Sequence, residues 1–256
     1  MTKRQGLDAV MVKRSLAPSL AAADELIDTG RVLVNGAVAM SSAHQVSPND
    51  SIHITNPARF VGRGGEKLQA AIDHFELDFV GRSVLDAGSS TGGFTDCALQ
   101  AGATHVTAID VGRSLLHERV ENDSRVAVVE GFNVKRLSES QTNSVIRDYY
   151  DIIVADLSFI SLTAVADALC GRVSANGLLV LLVKPQFEAE KLEVDRGSGV
   201  ITDPTIHQRT CDRVIDAYMQ RGCDVIGIIP SPIHGASGNT EFLLCLRRNV
   251  SPASET

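Results

Sequence analysis

VLDAGSSTGGFTDCALQ, from Val84 to Gln100, is the stretch whose reading decides the fold. An apolar run closes on Asp86, a turn of glycines and serines follows, and helix-compatible residues begin near Gly93. A strand that ends in a Gly-rich turn and opens a helix belongs to an open α/β sheet, where ligands bind outside the carboxyl ends of the strands. Dinucleotide sites place GxGxxG here, so that pyrophosphate sits on the helix N-terminus. This turn reads GSSTGG instead, and the acid before it would repel a pyrophosphate.

Outward from that turn, apolar runs alternate with helix-length gaps. They are SVLDAG (Ser83 to Gly88), HVTAID (His105 to Asp110), VAVVEG (Val126 to Gly131), DIIVAD (Asp151 to Asp156) and GLLVLLVK (Gly177 to Lys184). Near-continuous apolar strands of this kind predict a parallel sheet covered on both faces. DVIGIIP and EFLLCLRR are joined by SPIHGASGNT, too short and turn-rich for a crossover helix, so the last pair should be antiparallel. Five parallel strands closed by an antiparallel hairpin resemble the sheet of Rossmann-like class I methyltransferases. With Asp86 and Asp110 ending the first two strands, the pattern points to S-adenosylmethionine. The candidate cofactor residues are Asp86, Gly88, Ser89, Ser90, Gly92, Gly93, Phe94, Asp110, Val111, Asn133 and Asp156. Asn133 is equally readable as a turn asparagine.

Residues 1 to 58 have a different rhythm. LDAVMVKRSL spaces Leu7, Val10, Met11 and Leu16 as a helix does, and SLAAADELIDTG runs from an N-cap at Ser19 to a C-cap at Gly30. RVLVNGAVAM then alternates around Asn35-Gly36, a strong hairpin signal, and SPNDSIHI adds a turn and a strand. This arrangement, with GRVLVNG from Gly30 to Gly36, resembles an S4 RNA-binding domain. It departs from that pattern at Gly6 and Leu20, where the family carries arginines. The basic set that remains is Lys3, Arg4, Lys13, Arg14 and Arg31, with Arg59 and Arg63 in TNPARFVGRG. A generic α+β module is the alternative reading. The division expected is 1–58 for the S4-like unit, 59–63 for a linker, 64–249 for the methyltransferase domain and 250–256 for a tail.

Bulk composition fits this picture. The chain has 256 residues, 44% hydrophobic and 21% charged, as soluble globular proteins do. No apolar run approaches the ~20 residues of a membrane span, and the N-terminus lacks a secretory core. Five scattered cysteines without a CxxC pair suggest neither a disulfide framework nor a metal site, which predicts a cytoplasmic protein. A net charge of −7 weighs against a nucleic-acid partner unless basic residues cluster locally. A strip of Arg59, Arg63, Lys67, Lys184, Lys191 and Arg196 on the catalytic face would supply that clustering.

Strand GLLVLLV delivers Lys184 and stops at Pro185. Alone, such a lysine is a strand end reaching water. Asp156 ends the neighbouring strand, Lys67 lies on the helix leading into the first strand, and Glu241 opens the last. A ribose 2′-hydroxyl is a poor nucleophile and must lose its proton as it attacks. A lysine serves as base once a second ammonium and partial desolvation disfavour its charged form. The motifs RGGEKL, DAGSSTGGFTDC, DVG, VADLSFISL, LVKPQFE and GNTEFLLCL resemble the TlyA family, S4-containing relatives of the FtsJ-type RNA 2′-O-methyltransferases, many once labelled haemolysins. The resemblance implies methylation of cytidine 2′-hydroxyls in ribosomal RNA, ribosomal RNA or subunits as partners, and a catalytic set Lys67, Asp156, Lys184 and Glu241 with Lys184 as base. Departures stand at GRGG for SRGG, in DVGRSLLHERVENDSRV, and in EGFNVKR. The competing readings are an RNA-binding protein with a degenerate methyltransferase domain and a membrane-active haemolysin. A nicotinamide oxidoreductase is disfavoured by the missing GxGxxG.

Overall fold

The computed structural model describes residues 4–28, 31–39, 41–55, 59–139, 144–235 and 237–249. Lys3, Gly30 and the tail expected at 250–256 lie outside them. Two compact units divide at Met1–Arg59 and Phe60–Thr256.

In the first unit, β1 (Gln5–Gly6) precedes α1 (Leu7–Lys13) and α2 (Leu20–Asp28). Ser19 caps α2, its hydroxyl oxygen accepting from Ala22 N–H at 3.2 Å. β2 (Val32–Val34) and β3 (Ala37–Val38) form the hairpin expected at Asn35-Gly36. Both turn residues sit at positive φ, 51° and 86°, the geometry of the type I′ turn that Asn-Gly favours. β4 (Gln45–Val46) pairs with β1, and β5 (Ile52–Ile54) with β2. Leu7, Val10, Met11, Ala23, Ile27 and Val32 bury the helix pair against the small sheet. Leu16, expected on the first helix, lies beyond its end and packs part-buried against this core.

The second unit begins earlier than a linker over 59–63 implies. Phe60 is buried among Leu68, Ala71 and Phe94, so the chain is already part of the core there. α3 (Gly64–Phe75) follows, then β6 (Ser83–Ala87), α4 (Gly93–Gln100), β7 (His105–Asp110), α5 (Glu118–Glu121) and β8 (Val126–Glu130). Next come β9 (Tyr150–Ala155), α6 (Ala166–Cys170), β10 (Val173–Val183), α7 (Pro185–Glu188), α8 (Lys191–Arg196) and α9 (Pro204–Met219). β11 (Cys223–Pro230) and β12 (Phe242–Arg248) close the chain.

The sheet order is β11-β12-β10-β9-β6-β7-β8. β6 to β10 run parallel, and β12 inserts antiparallel between β10 and β11. The expected α/β sheet with its antiparallel final pair is therefore present. Its apolar runs are continuous because both faces are covered. Leu179, Leu181 and Val183 of β10 enter one core while Val180 and Leu182 enter the other. Each such side chain contributes roughly 1.5–3 kcal/mol on burial. The crossovers flanking β8 are shorter than expected, with only α5 on one side and, among the described residues, a 3-10 turn at Val134–Ser138 on the other. Phe132, Val134, Leu137 and Ile146 cover that end of the sheet. Pro185 stands at the first position of α7, where its missing N–H costs nothing and its ring ends the strand.

Candidate active site

The turn after β6 is held by backbone bonds that fix its shape. Gly88 and Ser89 N–H both donate to Ile109 O, at 2.9 and 3.1 Å. Gly88 has φ +85°, and a Cβ there would stand 2.6 Å from Asp156 O, so only glycine lets the turn lie against the end of β9. Gly93 plays a second role: a Cβ on it would stand 3.0 Å from Gly65 N. Its absence lets α3 press against α4, which carries Lys67 to the carboxyl ends of the strands.

Two clefts open on either side of Asp156. The first, of about 550 Å³, is lined by Lys67, Gly88, Ser89, Ser90, Gly93, Phe94, Asp156, Lys184 and Glu241 among others, with Arg63 at its rim. The second, of about 600 Å³, is lined by Asp110, Val111, Phe132, Asn133, Leu157 and Ile160. Gly88, Ser90, Asp156, Ser158 and Phe159 belong to both, so the clefts share a wall. Asp110 accepts from Ser90 N–H (2.8 Å) and Gly112 N–H (2.7 Å), which locks the end of β7 to the glycine turn. Asn133 lines the second cleft and also caps the following turn, accepting from Lys135 N–H at 3.0 Å. The turn reading of Asn133 is thus met, and its place in the second cleft leaves it a candidate for the cofactor.

Asp86 departs from the expectation that it lines the ligand site. It is fully buried behind the turn and lines neither cleft. One carboxylate oxygen accepts from the Thr95 hydroxyl at 2.6 Å, and Oδ1 has no hydrogen-bond partner among the described residues. Burial pushes its carboxyl up to about 7, opposed by the Thr95 bonds and reinforced by the charges of Asp156 and Asp110. Gly92, at φ +90°, shapes the turn without lining either cleft.

Four charged side chains meet in the first cleft, two by two. Lys67 Nζ donates to Glu241 Oε2 at 2.5 Å. Lys184 Nζ stands 2.5 Å from Asp156 Oδ1 and donates to Ser158 Oγ at 3.0 Å. Lys67 and Lys184 are each only 8% exposed, and Glu241 3%. Removing such pairs from water costs several kcal/mol per ion, so fold stability does not account for two of them side by side. Buried charged groups converging in a cleft at the strand ends are what a proton-transfer site requires.

Sequence reasoning missed several cleft residues. Ser158 is the second acceptor on Lys184, and its place two residues after Asp156 in VADLSF was the available signal. Phe159 is 92% exposed at φ +64° on the shared wall, a conformation no sequence pattern announces for phenylalanine. Gln186, Phe187 and Asn239 also line the first cleft.

The expected RNA-binding residues separate into two groups. Arg4 and Lys13 are exposed in the first unit. Arg14 is instead committed to its own fold, donating to Asp50 O and Pro48 O at 2.7 Å each. Arg31 is half-buried and donates through Nε to Thr55 O at 3.1 Å. Arg59 and Arg63 are exposed. The expected basic strip is broken at α8, where Glu193 and Asp195 stand between Lys191 and Arg196.

Comparison with known proteins fits this geometry. The FtsJ-like methyltransferase family matches residues 60–248, and the S4 domain matches residues 5–52. The chain is 41% identical to the 16S/23S rRNA (cytidine-2′-O)-methyltransferase TlyA of Mycobacterium tuberculosis, over 99% of this chain and 93% of that protein. The chain belongs to the TlyA branch of the FtsJ-like methyltransferases. Hemolysin A of Brachyspira hyodysenteriae is 37% identical over 93% of this chain and 97% of its own length. A solved structure described as a hemolysin from Streptococcus thermophilus has a TM-score of 0.71 at 31% identity, covering 98% of this chain and 91% of that one.

This FtsJ-like methyltransferase takes S-adenosylmethionine as its cofactor, and the residues present fit that group. The paired clefts meet at a glycine turn that a Cβ would fill, and carboxylates at Asp110 and Asp156 suit a ribose diol and a cationic sulfur. No helix among the described residues is long and apolar enough to cross a membrane.

Proposed function

We propose that this chain methylates the 2′-hydroxyl of a cytidine in ribosomal RNA, with Lys184 as general base. The observation that carries the reading is the pair of buried lysines, each held by a carboxylate, in the cleft that shares a wall with the second. Gly88, Ser89, Ser90, Gly93, Phe94, Asp110, Val111, Asn133 and Asp156 hold the cofactor, Asp110 and Asn133 lying on its adenosine side. When bound, S-adenosylmethionine supplies an electrophilic methyl group on a positively charged sulfur.

The ribose enters the first cleft, with Lys184 Nζ facing the 2′-hydroxyl. Bound S-adenosylmethionine would supply the methyl group that the 2′-oxygen takes up, keeping the electron pair of the carbon–sulfur bond on sulfur. The 2′-proton passes to Lys184 Nζ. Asp156 and Ser158 fix Nζ in place and then stabilise the ammonium that forms. Glu241 holds Lys67 in the same cleft. Positioning of this kind is worth a large part of a barrier, since a misplacement of about 1 Å can cost ~10²-fold in rate.

Residues 1–58 form the RNA-docking module, with the exposed Arg4 and Lys13 toward phosphates and Arg59 and Arg63 beside it in the sequence. The partner is ribosomal RNA or a ribosomal subunit, in the cytoplasm. Methyl transfer from labelled S-adenosylmethionine to ribosomal subunits lacking the modification tests the reading, with wild type and Lys184→Ala compared. Label on ribose that vanishes in the variant is expected. Transfer that survives Lys184→Ala would return the lysine to the status of a strand end.

A further inference from the structure

Glu188 lies outside both clefts, is 1% exposed, and has no part in the chemistry described above. Burial pushes its carboxyl above the ordinary value, against the opposing pull of its hydrogen bonds and of Arg213. An acid kept in so apolar a place is costly unless its bonds matter. Those bonds all lead to one loop. Oε2 accepts from the Ser161 hydroxyl at 2.5 Å, and Oε1 accepts from Leu162 N–H at 2.7 Å. Arg213 lies 3.8 Å from Oε2 and donates to the Glu188 carbonyl oxygen, which anchors α7 to α9.

The same loop begins at Asp156. Lys184 is the N-cap of α7 and Glu188 its last residue, so a single helical turn separates them. Lys184 grips the start of the loop through Asp156 and Ser158, and Glu188 grips its end through Ser161 and Leu162. Between these grips Phe159 sits at φ +64°, where a bulky residue is an outlier. Backbone strain of that kind persists only where the surroundings over-determine it.

We infer that Glu188 is a positioning residue for methyl transfer: by pinning the loop after β9 to α7, it keeps Asp156 and Ser158 on the Lys184 amine. The inference rests on Lys184 being the base. A carboxylate that merely capped the 3-10 turn at Leu162 would matter for stability and leave the chemical step alone.

Full-length Glu188→Ala, Glu188→Gln, Ser161→Ala and Lys184→Ala are compared by two measurements. Calorimetric titration with S-adenosylmethionine gives affinity and the fraction of folded sites, and single-turnover methyl transfer to unmodified subunits gives the rate of the step. Glu188→Ala is expected to bind the cofactor at full stoichiometry and transfer about tenfold more slowly, as a displaced catalytic group does. Glu188→Gln is expected to restore most of the rate. Its amide oxygen can accept from Leu162 N–H, and its NH₂ can donate to Ser161 Oγ. Ser161→Ala, which removes one of the two bonds, should fall between them.

Wild-type transfer by a fully folded Glu188→Ala, with Lys184→Ala inactive, would overturn the inference and leave the base intact. So would a Glu188→Gln as slow as Glu188→Ala, because the lost charge rather than the lost grip would then be responsible. An active Lys184→Ala would remove the base assignment and this inference with it. If Glu188→Ala does not fold, Ser161→Ala decides: transfer at the wild-type rate refutes the grip.

Discussion

Replacing Asp86 by asparagine should abolish a pH dependence of stability that this single side chain imposes. Asp86 is fully buried, with one oxygen bonded to Thr95 and the other without a partner among the described residues. Burial pushes its carboxyl from 3.8 to about 7. Between those values the native protein holds a proton that the unfolded chain has released. The stability contributed by this group is therefore complete below about pH 4 and is lost as pH rises toward about 7. At 1.36 kcal/mol per pH unit, the span from 3.8 to about 7 corresponds to about 4 kcal/mol. For a domain of roughly 150–250 residues that is about 8–16 °C in Tm. Asparagine has the same shape, keeps an acceptor for the Thr95 hydroxyl and does not ionise. Other titrating groups act on both proteins, so the difference between the two Tm values isolates Asp86. Thermal unfolding followed by circular dichroism from about pH 4 to pH 8 should show Asp86→Asn gaining steadily on wild type as pH rises. A difference that stays flat across this range would refute the reasoning, because the carboxylate would then be ionised in the native state throughout.

Further outcomes are expected. Lys67→Met strands the buried Glu241 without its counter-charge and should cost about 3–5 kcal/mol in urea unfolding. Adding Glu241→Gln should recover most of that loss, and no recovery would mean that packing, not charge, was lost. Gly88→Ala forces a Cβ to within 2.6 Å of Asp156 O at φ +85°, so cofactor affinity should fall at least about tenfold by calorimetry. Unchanged affinity would show that the turn relaxes freely. In the S4 unit, Arg14→Ala should lower stability by about 1–2 kcal/mol through its lost carbonyl bonds, with little change in the salt dependence of RNA binding. Lys13→Ala should instead lower the salt slope by about one, and equal slopes for the two variants would contradict the assignment.

Local residue chemistry made most of the fold readable in advance. Asn35-Gly36 specified a hairpin because both positions need positive φ, and Ser19 marked a helix start because its hydroxyl can satisfy an orphan N–H. The apolar run from Leu178 to Val183 announced a strand with both faces covered, which β10 is. The linker was misjudged because Phe60 stands among Arg59, Gly62 and Arg63, and its burial against Leu68 and Phe94 is a long-range event. Arg14 looked available for RNA in sequence because nothing local reveals that the carbonyls of Pro48 and Asp50 fold back to it.

The sequence by itself determined the succession of apolar runs along the chain, the glycine turn after Asp86, and the residue types at the tips of the strands. Those follow from short-range rules: backbone freedom at glycine, periodicity of burial, and the ring of Pro185. Only the tertiary structure decided which partners those tips have. It joined Lys67 to Glu241 across the whole domain, put Ser158 on Lys184, hid Asp86 behind the turn and drew Glu188 onto the loop after β9. Such pairings depend on distances between residues far apart in the chain, which the close packing of sheet and helices sets and no local pattern encodes.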